Sequence, residues 1–468
     1  MLECAERLRC EGAFAEATAL LRRVVALASR DVARAPSRRK AVAPAAQRAI
    51  AAYQLATLLF QAGEAEQGDA VIWRLGFTLR LNDGVLAYDR TFSAAAKTAP
   101  PRSAKLCALD GALAAEDFDA LRRCFGAGGA YWGAHEYPTQ NFFSYNVRLD
   151  ADGEPGNDSG LGALRDILQR AQRTVSKSLP GVAAAKSVEV WAHAREGDGH
   201  HQLHYDLDEN ALRRADRCVR SPIASSVLYV ETVDDEAAGA PTLVVDRALG
   251  GDYRAADDDR GWLIWPKPNR LLTFNGDLLH AVVPTICRRP PQGNRKRVTV
   301  MLGWWGADVD VSAAGTLSPN VRLEDDAPWL RSALRAETAA AETAAAETPA
   351  SETPAPAAFA AVPRVWHRIA ADGADRRARD LGAYASDDVT FTGRFFLRDS
   401  VAEIDAAVVE APPPTDAAPI APEAVEFVSI QDILAAQARA APAAPAARPA
   451  KKSKTALKDK MQAKRRKT

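Results

Sequence analysis

The chain has no uninterrupted apolar run approaching the roughly 18 to 20 residues that a membrane-spanning helix needs. A secretory leader would carry an apolar core near its start, whereas Met1 to Arg30 is helical in pattern and charged throughout, with Glu3, Glu6, Arg7 and Arg9. Cysteine is scarce: Cys4, Cys10, Cys107, Cys124, Cys218 and Cys287 form no CxxC pair and are too sparse for a disulfide framework. Reduced thiols are the simpler reading, and an intracellular protein, cytoplasmic or nuclear, is expected. Charge of one sign is also lacking, because 60 basic and 60 acidic side chains cancel. That excludes a chain-wide attraction to nucleic acid or to an anionic membrane and leaves local patches. The one such patch begins at Arg448, from which ten Lys/Arg face a single acid, Asp459. Its Lys451-Lys-Ser-Lys and Lys464-Arg-Arg-Lys clusters fit a nuclear-localisation signal, a nucleic-acid contact or a plain solvated terminus.

What is present is a chain of 468 residues with 47% hydrophobic content, long enough for at least one full-sized core. Residues 1–100 carry helical periodicity, as in Ala15, Ala19, Leu20, Val24 and again Leu55, Leu58, Leu59, Ala62. Two pieces, starting at Gly12-Ala-Phe-Ala-Glu-Ala and at Ala52-Tyr-Gln-Leu-Ala with Gly63 and Trp73, weakly resemble tetratricopeptide helix hairpins. Gly12 and Gly63 lie 51 residues apart, against a repeat period of about 34, so that reading requires an insertion of about 17 residues around Arg34 to Ala45. A plain helical bundle accounts for the same pattern.

Residues 103–330 change character. Helix-like segments at Cys107 to Phe125 and Gly160 to Ser178 flank an aromatic patch of Tyr131, Trp132, Tyr137, Phe142, Phe143 and Tyr145, read as core or as a closing loop. After Val182 come short β-branched runs separated by Gly, Pro and Asp: Ser187 to Ala194, Ser225 to Thr232, Thr242 to Asp246, Arg270 to Phe274, His280 to Pro284 and Arg297 to Trp305. Short strands at such intervals predict an α+β fold with a sandwich or jelly-roll core and supporting helices. Residues 336–358 repeat a Glu-Thr pair and then turn Pro-rich, which predicts a linker. Residues 362–409 carry apolar content that would return to the barrel, including Trp366 and the strand-like run from Val389 to Leu397. The Ala/Pro-rich and basic stretch 411–468 is expected to be disordered.

Five of the seven histidines (His193, His200, His201, His204 and His280) fall within 88 residues of the strand-rich region. Histidine is the commonest neutral metal ligand, so the cluster points toward a metal site. The sharper feature is His204-Tyr205-Asp206, because residues two apart on a strand share a face and can bind one ion together. His280, heading His280-Ala-Val-Val-Pro, is placed to add a third ligand from a neighbouring strand. Two imidazoles and a carboxylate on one face leave three octahedral positions open, as Fe(II) needs for a bidentate co-substrate and O2. Tyr205 would point to the opposite face and pack in the core. His200 and His201 read as loop residues or outer donors, His193 as a strand histidine or one facing the site, and His135 and His367 have no assigned role.

A dicarboxylate chelating the metal through its keto-acid end needs a cationic clamp for its far carboxylate, and an arginine fork supplies one. In the strand beginning Arg297-Val-Thr-Val-Met-Leu, alternation puts Arg297, Thr299 and Met301 on one face and Val298, Val300 and Leu302 on the other. Arg297 and Thr299 are therefore the candidate co-substrate contacts.

The order His204-x-Asp206, Leu272-Thr-Phe274, His280-x-x-x-Pro284, Gly293 and Arg297-x-Thr299 resembles the prolyl-4-hydroxylase-like branch of the 2-oxoglutarate/Fe(II) dioxygenases. Gly239-Ala-Pro-Thr242 is similar to the Gly-Gly-x-Thr turn of those enzymes. The resemblance spans roughly Ser187 to Trp305 and implies a double-stranded β-helix that couples oxidative decarboxylation of 2-oxoglutarate to hydroxylation of a substrate. It implies Fe(II), 2-oxoglutarate and O2, with ascorbate as an accessory reductant. A polypeptide side chain such as proline is the substrate it suggests, with the N-terminal helices as its recruiter. Two departures stand out. Arg288-Arg-Pro-Pro-Gln292 lengthens the gap from His280 to Arg297, making Arg295 or Lys296 rival clamps. The family's tyrosine before the first ligand is replaced by a stretch offering Trp191, His193 and Arg195. The competing reading is a non-catalytic helical-repeat interaction protein with an inactive or structural metal-binding barrel.

Overall fold

Helical periodicity in the first part of the chain becomes four helices in the computed structural model: α1 (Leu2–Cys10), α2 (Phe14–Arg34), α3 (Arg38–Ala62) and α4 (Ala65–Arg74). The structure describes residues 1–11, 13–34, 38–74, 79–92, 105–135, 144–149, 159–195, 201–208, 210–211, 220–232, 240–249, 259–286, 296–309, 311, 320–323, 327–335, 354–357 and 359–369. The four helices are 9, 21, 25 and 10 residues long, so no equal-length helix pair recurs and the tetratricopeptide reading is not supported. The supposed insertion around Arg34 to Ala45 is largely the first part of α3, which runs through Pro44. A small core of Ala17, Leu21, Val24, Leu55, Leu58 and Leu59 joins α2 to α3. Among the described residues no helix is long and apolar enough to cross a membrane.

Fifteen strands follow or interleave with six more helices among the described residues. The strands are β1 (Leu79–Leu81), β2 (Leu106–Asp110), β3 (Ser144–Arg148), β4 (Ser187–Arg195), β5 (His201–His204), β6 (Ala224–Glu231), β7 (Thr242–Ala248), β8 (Gly261–Ile264), β9 (Arg270–Asn275), β10 (Leu278–Val282), β11 (Arg297–Trp305), β12 (Asn320–Arg322), β13 (Ala355–Pro356), β14 (Ala360–Val362) and β15 (Trp366–Arg368). The helices are α5 (Asp83–Leu86), α6 (Tyr88–Thr91), α7 (Ala115–Phe125), α8 (Ala130–Ala134), α9 (Gly160–Ser176) and α10 (Pro328–Arg335). An eight-stranded sheet has the order β12-β3-β4-β11-β6-β9-β2-β13, a five-stranded sheet the order β14-β8-β7-β10-β5, and β1 pairs with β15. From β4 to β11 the chain alternates between the large and the small sheet, except at the β7–β8 hairpin, where both strands lie in the small one.

Period-two alternation sets the layers. On β11, Val298, Val300, Leu302 and Trp304 face outward into a core shared with α7, α9 and α10. The opposite row faces inward, where Met301 packs with Val227, Tyr229, Val244, Leu272 and Phe274 from both sheets. Amphipathic α9 covers the large sheet with Leu161, Leu164, Ile167, Leu168, Ala171 and Val175, spaced at i, i+3, i+4 and i+7. Its first turn is capped by Ser159, whose hydroxyl accepts from the Gly162 N–H at 3.0 Å. Gly160 lets α9 approach α10 closely, since a Cβ there would lie 3.0 Å from the Arg331 backbone nitrogen. Burying each large aliphatic side chain is worth about 1.5–3 kcal/mol, so Leu168→Ala, with its cavity, is expected to cost about 2–5 kcal/mol.

The small sheet is covered on its outer face by the N-terminal region: Ala52, Tyr53, Ala56 and Phe60 of α3 pack with Leu203, Tyr205, Leu243 and Leu279. Residues 355–362 return to both sheets, β13 pairing with β2 and β14 with β8, while Phe359 is buried between them. These pairings lie ahead of most of the segment 362–409 that the sequence reading singled out. Residues 370–409, the linker at 336–353 and the basic tail within 411–468 lie outside the described residues.

Several strands depart from the sequence reading. Cys107 falls in β2 rather than at the start of a helix, which begins only at Ala115. Part of the aromatic patch is strand β3. Tyr131, Trp132, His135, Tyr145 and Trp329 form a buried cluster, with Tyr131 stacked on His135 at 4.3 Å and Tyr145 on Trp329 at 5.6 Å. The Tyr145 hydroxyl joins His135 Nε2 at 2.7 Å and accepts from Trp329 Nε1 at 3.3 Å. This cluster belongs to the outer core of the large sheet, and Tyr137, Phe142 and Phe143 lie outside the described residues.

Candidate metal centre

Strand β5 and the two residues after it carry the first two candidate ligands, and β10 carries the third. In the β5–β10 ladder His204 is the direct partner of His280. Nε2 of His204 and Nε2 of His280 each lie 3.6 Å from Asp206 Oδ1. One ligand atom from each residue lies within 4.8 Å of the other two. The set therefore suits one divalent cation, and two neutral nitrogens with one carboxylate oxygen is a first-row transition-metal donor set. The remaining hydrogen bonds orient those donors. His280 Nδ1–H donates to the Leu278 carbonyl at 3.0 Å, leaving the Nε2 lone pair toward Asp206. Phe274 packs against the same imidazole with ring centroids 4.8 Å apart. Ser225 Oγ donates to Asp206 Oδ2 at 2.6 Å. Tyr205, between the two ligands, is buried in the opposite core as expected.

The inward row of β11 places Arg297 and Thr299 on the face that looks toward the small sheet. Arg297 is 7% exposed, and its Nη2 donates to Thr242 Oγ1 at 3.4 Å. Its guanidinium lies 5.5 Å over the Tyr229 ring. Tyr229 in turn shares a 2.7 Å hydrogen bond with Thr242 Oγ1. Arg297 Nε is buried without a hydrogen-bond partner, and among the described residues no carboxylate pairs with this guanidinium. Burial, and the like charge of Arg195 paired across the strand, push the Arg297 pKa down; burial pushes the Tyr229 phenol up. A buried cation with no counter-ion, beside two hydroxyls, is costly unless an anion arrives. Its chemistry suits an anion such as a carboxylate. Of the rival clamps, Lys296 precedes the strand and Arg295 lies outside the described residues.

Sequence reasoning missed Tyr229, Thr242 and Ser225 as neighbours of these groups. Each lies on an inward position of β6 or at the start of β7, and only closure of the two sheets brings it to its partner. His201, a loop residue or an outer donor in the sequence reading, is the first residue of β5, with its ring 4.5 Å from that of His204. Arg195 Nη2 donates to His201 Nδ1 at 3.2 Å. Burial holds the His201 pKa well below the usual histidine range and pushes that of His193 down to about 3. Both imidazoles are thus neutral beside the candidate ligands. His135 and His367 lie elsewhere, and His200, Cys287 and Gly293 fall outside the described residues.

No family model matches this chain, and no curated protein matches it. Among solved structures, it is similar to a prolyl-4-hydroxylase from Pseudomonas putida over 44% of this chain and 89% of that one, at 14% identity and a TM-score of 0.26. It is similar to an oxidoreductase of the 2OG-Fe(II) oxygenase family from Burkholderia pseudomallei over 36% of this chain and 68% of that one, at 14% identity and a TM-score of 0.22. HygX from Streptomyces hygroscopicus, solved with iron bound, aligns over 43% of this chain and 82% of its own, at 10% identity and a TM-score of 0.23.

Proposed function

We propose that the chain is an Fe(II)- and 2-oxoglutarate-dependent dioxygenase, with iron held by His204, Asp206 and His280 and the co-substrate held by Arg297 and Thr299. The observation that carries this reading is the conjunction of three convergent metal donors with a buried guanidinium, its Nε unpartnered, that has no acidic partner among the described residues. The order β4-β11-β6-β9 in one sheet and β5-β10-β7-β8 in the other is the connectivity of an eight-stranded jelly roll, which supports a double-stranded β-helix as the core. On this reading residues 103–330 are the catalytic domain, and β13 and β14 pair onto its edge strands β2 and β8.

When bound, Fe(II) would supply the one-electron and O2 chemistry that side chains cannot. The protein's share is binding and orientation. Arg297 donates to the far carboxylate of 2-oxoglutarate, with Thr299, Thr242 and the Tyr229 hydroxyl available around it. His280 is held in its Nδ1–H tautomer by the Leu278 carbonyl, so that Nε2 remains a lone-pair donor. The flanking neutral imidazoles of His193 and His201 add no positive charge to the site. The net reaction is 2-oxoglutarate, O2 and a C–H bond giving succinate, CO2 and a C–OH group, with ascorbate as an accessory reductant. A polypeptide side chain such as proline is the proposed substrate, within a cytoplasmic or nuclear compartment.

Succinate formation from 2-oxoglutarate by the Fe(II)-loaded protein tests the reading. Turnover that disappears in His204→Ala supports it; equal background in both proteins removes it in favour of a non-catalytic barrel.

A further inference from the structure

Asp206 lies beyond the end of β5, which stops at His204. No ladder therefore fixes its carboxylate, and the group that does is on the facing sheet. Ser225 is an inward residue of β6, in line with Val227 and Tyr229 of the inner core, and is almost wholly buried. Its hydroxyl donates to Asp206 Oδ2 at 2.6 Å, while the other oxygen, Oδ1, is the one 3.6 Å from both imidazole nitrogens. The carboxylate is thus divided in use, with one oxygen tied to the large sheet and one turned toward the His204/His280 pair. A carboxylate can bind a cation through one or both oxygens, and an oxygen committed to a buried hydroxyl is the poorer second ligand. Ser225 itself is buried, so leaving its hydroxyl unpaired is costly.

We propose that Ser225 is a positioning residue that keeps Asp206 a one-oxygen ligand, so that three positions on the metal stay open for co-substrate and O2. The proposal rests on the metal-site reading above and adds to it a reason for the coordination number. Ser225→Ala frees Oδ2 to swing onto the metal, which would fill one of the positions that a bidentate keto-acid must take.

The test uses the full chain loaded with Co(II), whose ligand-field absorption reports coordination number and which needs no turnover. Wild type, Ser225→Ala and Ser225→Thr are titrated with Co(II) and then with 2-oxoglutarate, with circular dichroism verifying the fold. Loss of an outer partner of a metal ligand typically costs about 10–100-fold in affinity or activity. Ser225→Ala is expected to show an altered Co(II) band and a roughly tenfold or larger rise in the Kd for 2-oxoglutarate, while Ser225→Thr, which keeps the hydroxyl, restores both. Should the alanine variant fold poorly, Ser225→Val, which matches the threonine variant in shape but has no hydroxyl, is expected to give the same shifts. An unchanged band and unchanged 2-oxoglutarate affinity in a folded Ser225→Ala protein overturn the proposal while leaving the metal site standing. A wild-type chain that binds no Co(II) overturns the metal-site reading instead, and the two failures are thereby distinct.

Discussion

His204 and His280 face each other as a directly paired couple of the β5–β10 ladder, with ring centroids 4.1 Å apart. The two imidazoles come from strands joined through more than seventy residues of chain, roughly seventy-five, a separation that only sheet pairing spans at about 4.8 Å. Metal binding to the folded state alone should therefore stabilise the whole sheet. Free metal at about one hundred times its Kd is worth about 2.7 kcal/mol. Thermal unfolding with and without Co(II) is expected to show that gain in wild type and to lose it in His204→Ala and in His280→Ala. Equal Co(II)-induced shifts in all three proteins would place the metal elsewhere.

Arg297 gives a prediction of opposite sign for stability and for binding. Its guanidinium is buried with no carboxylate among the described residues, so Arg297→Met removes an uncompensated charge, and the ligand-free protein should be no less stable than wild type. Truncating one partner of a buried charge pair costs about 2–5 kcal/mol, so the same variant should bind 2-oxoglutarate at least about 30-fold more weakly. Urea unfolding and calorimetric titration measure the two quantities. A variant that loses stability while keeping its affinity would mean the side chain is structural.

The readable part of this protein is the part written at strand spacing. Arg297, Thr299 and Met301 alternate with Val298, Val300 and Leu302 as period two requires, whereas Asp206, two residues after His204, lies past the end of β5. The limits of β11 coincide with the run Arg297 to Trp305 read from the sequence. Tyr229, Thr242 and Ser225 were not legible, since a tyrosine, threonine or serine on an inward strand position gains a role only when another sheet closes over it. The sequence reading put His204 and Asp206 on one strand, but β5 covers His201–His204 and stops before Asp206; its three polar side chains carry no apolar alternation that would mark those limits. The tetratricopeptide reading required an insertion around Arg34 to Ala45, where α3 instead runs on through Pro44.

The Asp69 carboxylate ties the N-terminal region to the last described strand. Arg80 Nε of β1 donates to Asp69 Oδ1 at 2.5 Å, and His367 Nε2 of β15 lies 3.5 Å from Oδ2. Burial by itself would raise the Asp69 pKa, but the hydrogen bonds from His367 and Arg80 outweigh it and hold the carboxyl below its ordinary 3.8. A depressed carboxylate binds fewer protons folded than unfolded, so its contribution is complete well above 3.8 and is lost as pH falls through that value to the lower folded one. Urea midpoints measured between pH 6 and about pH 3 are expected to fall less steeply in Asp69→Asn than in wild type. Parallel profiles would show that this carboxylate is not linked to folding.

Three N-terminal elements grip the backbone just past the strand that carries His280. Arg9 Nη1 of α1 donates to the Thr285 carbonyl at 2.7 Å, Gln61 Nε2 of α3 to the Pro284 and Thr285 carbonyls at 3.3 Å each, and the Ile286 N–H donates to the Tyr88 hydroxyl at 3.1 Å. These contacts make the helices a buttress of the β10 exit, a different use of their inner faces from the recruitment of a partner. Gln61→Leu removes the amide and strips a donor from buried carbonyls, which costs about 1–3 kcal/mol. Because the contacts cross from helices to sheet, that loss should appear in one transition followed alike by far-UV circular dichroism and by tryptophan fluorescence. Two separated transitions, with only the first moved by the substitution, would mean that the helices fold as an independent module and do not brace the site.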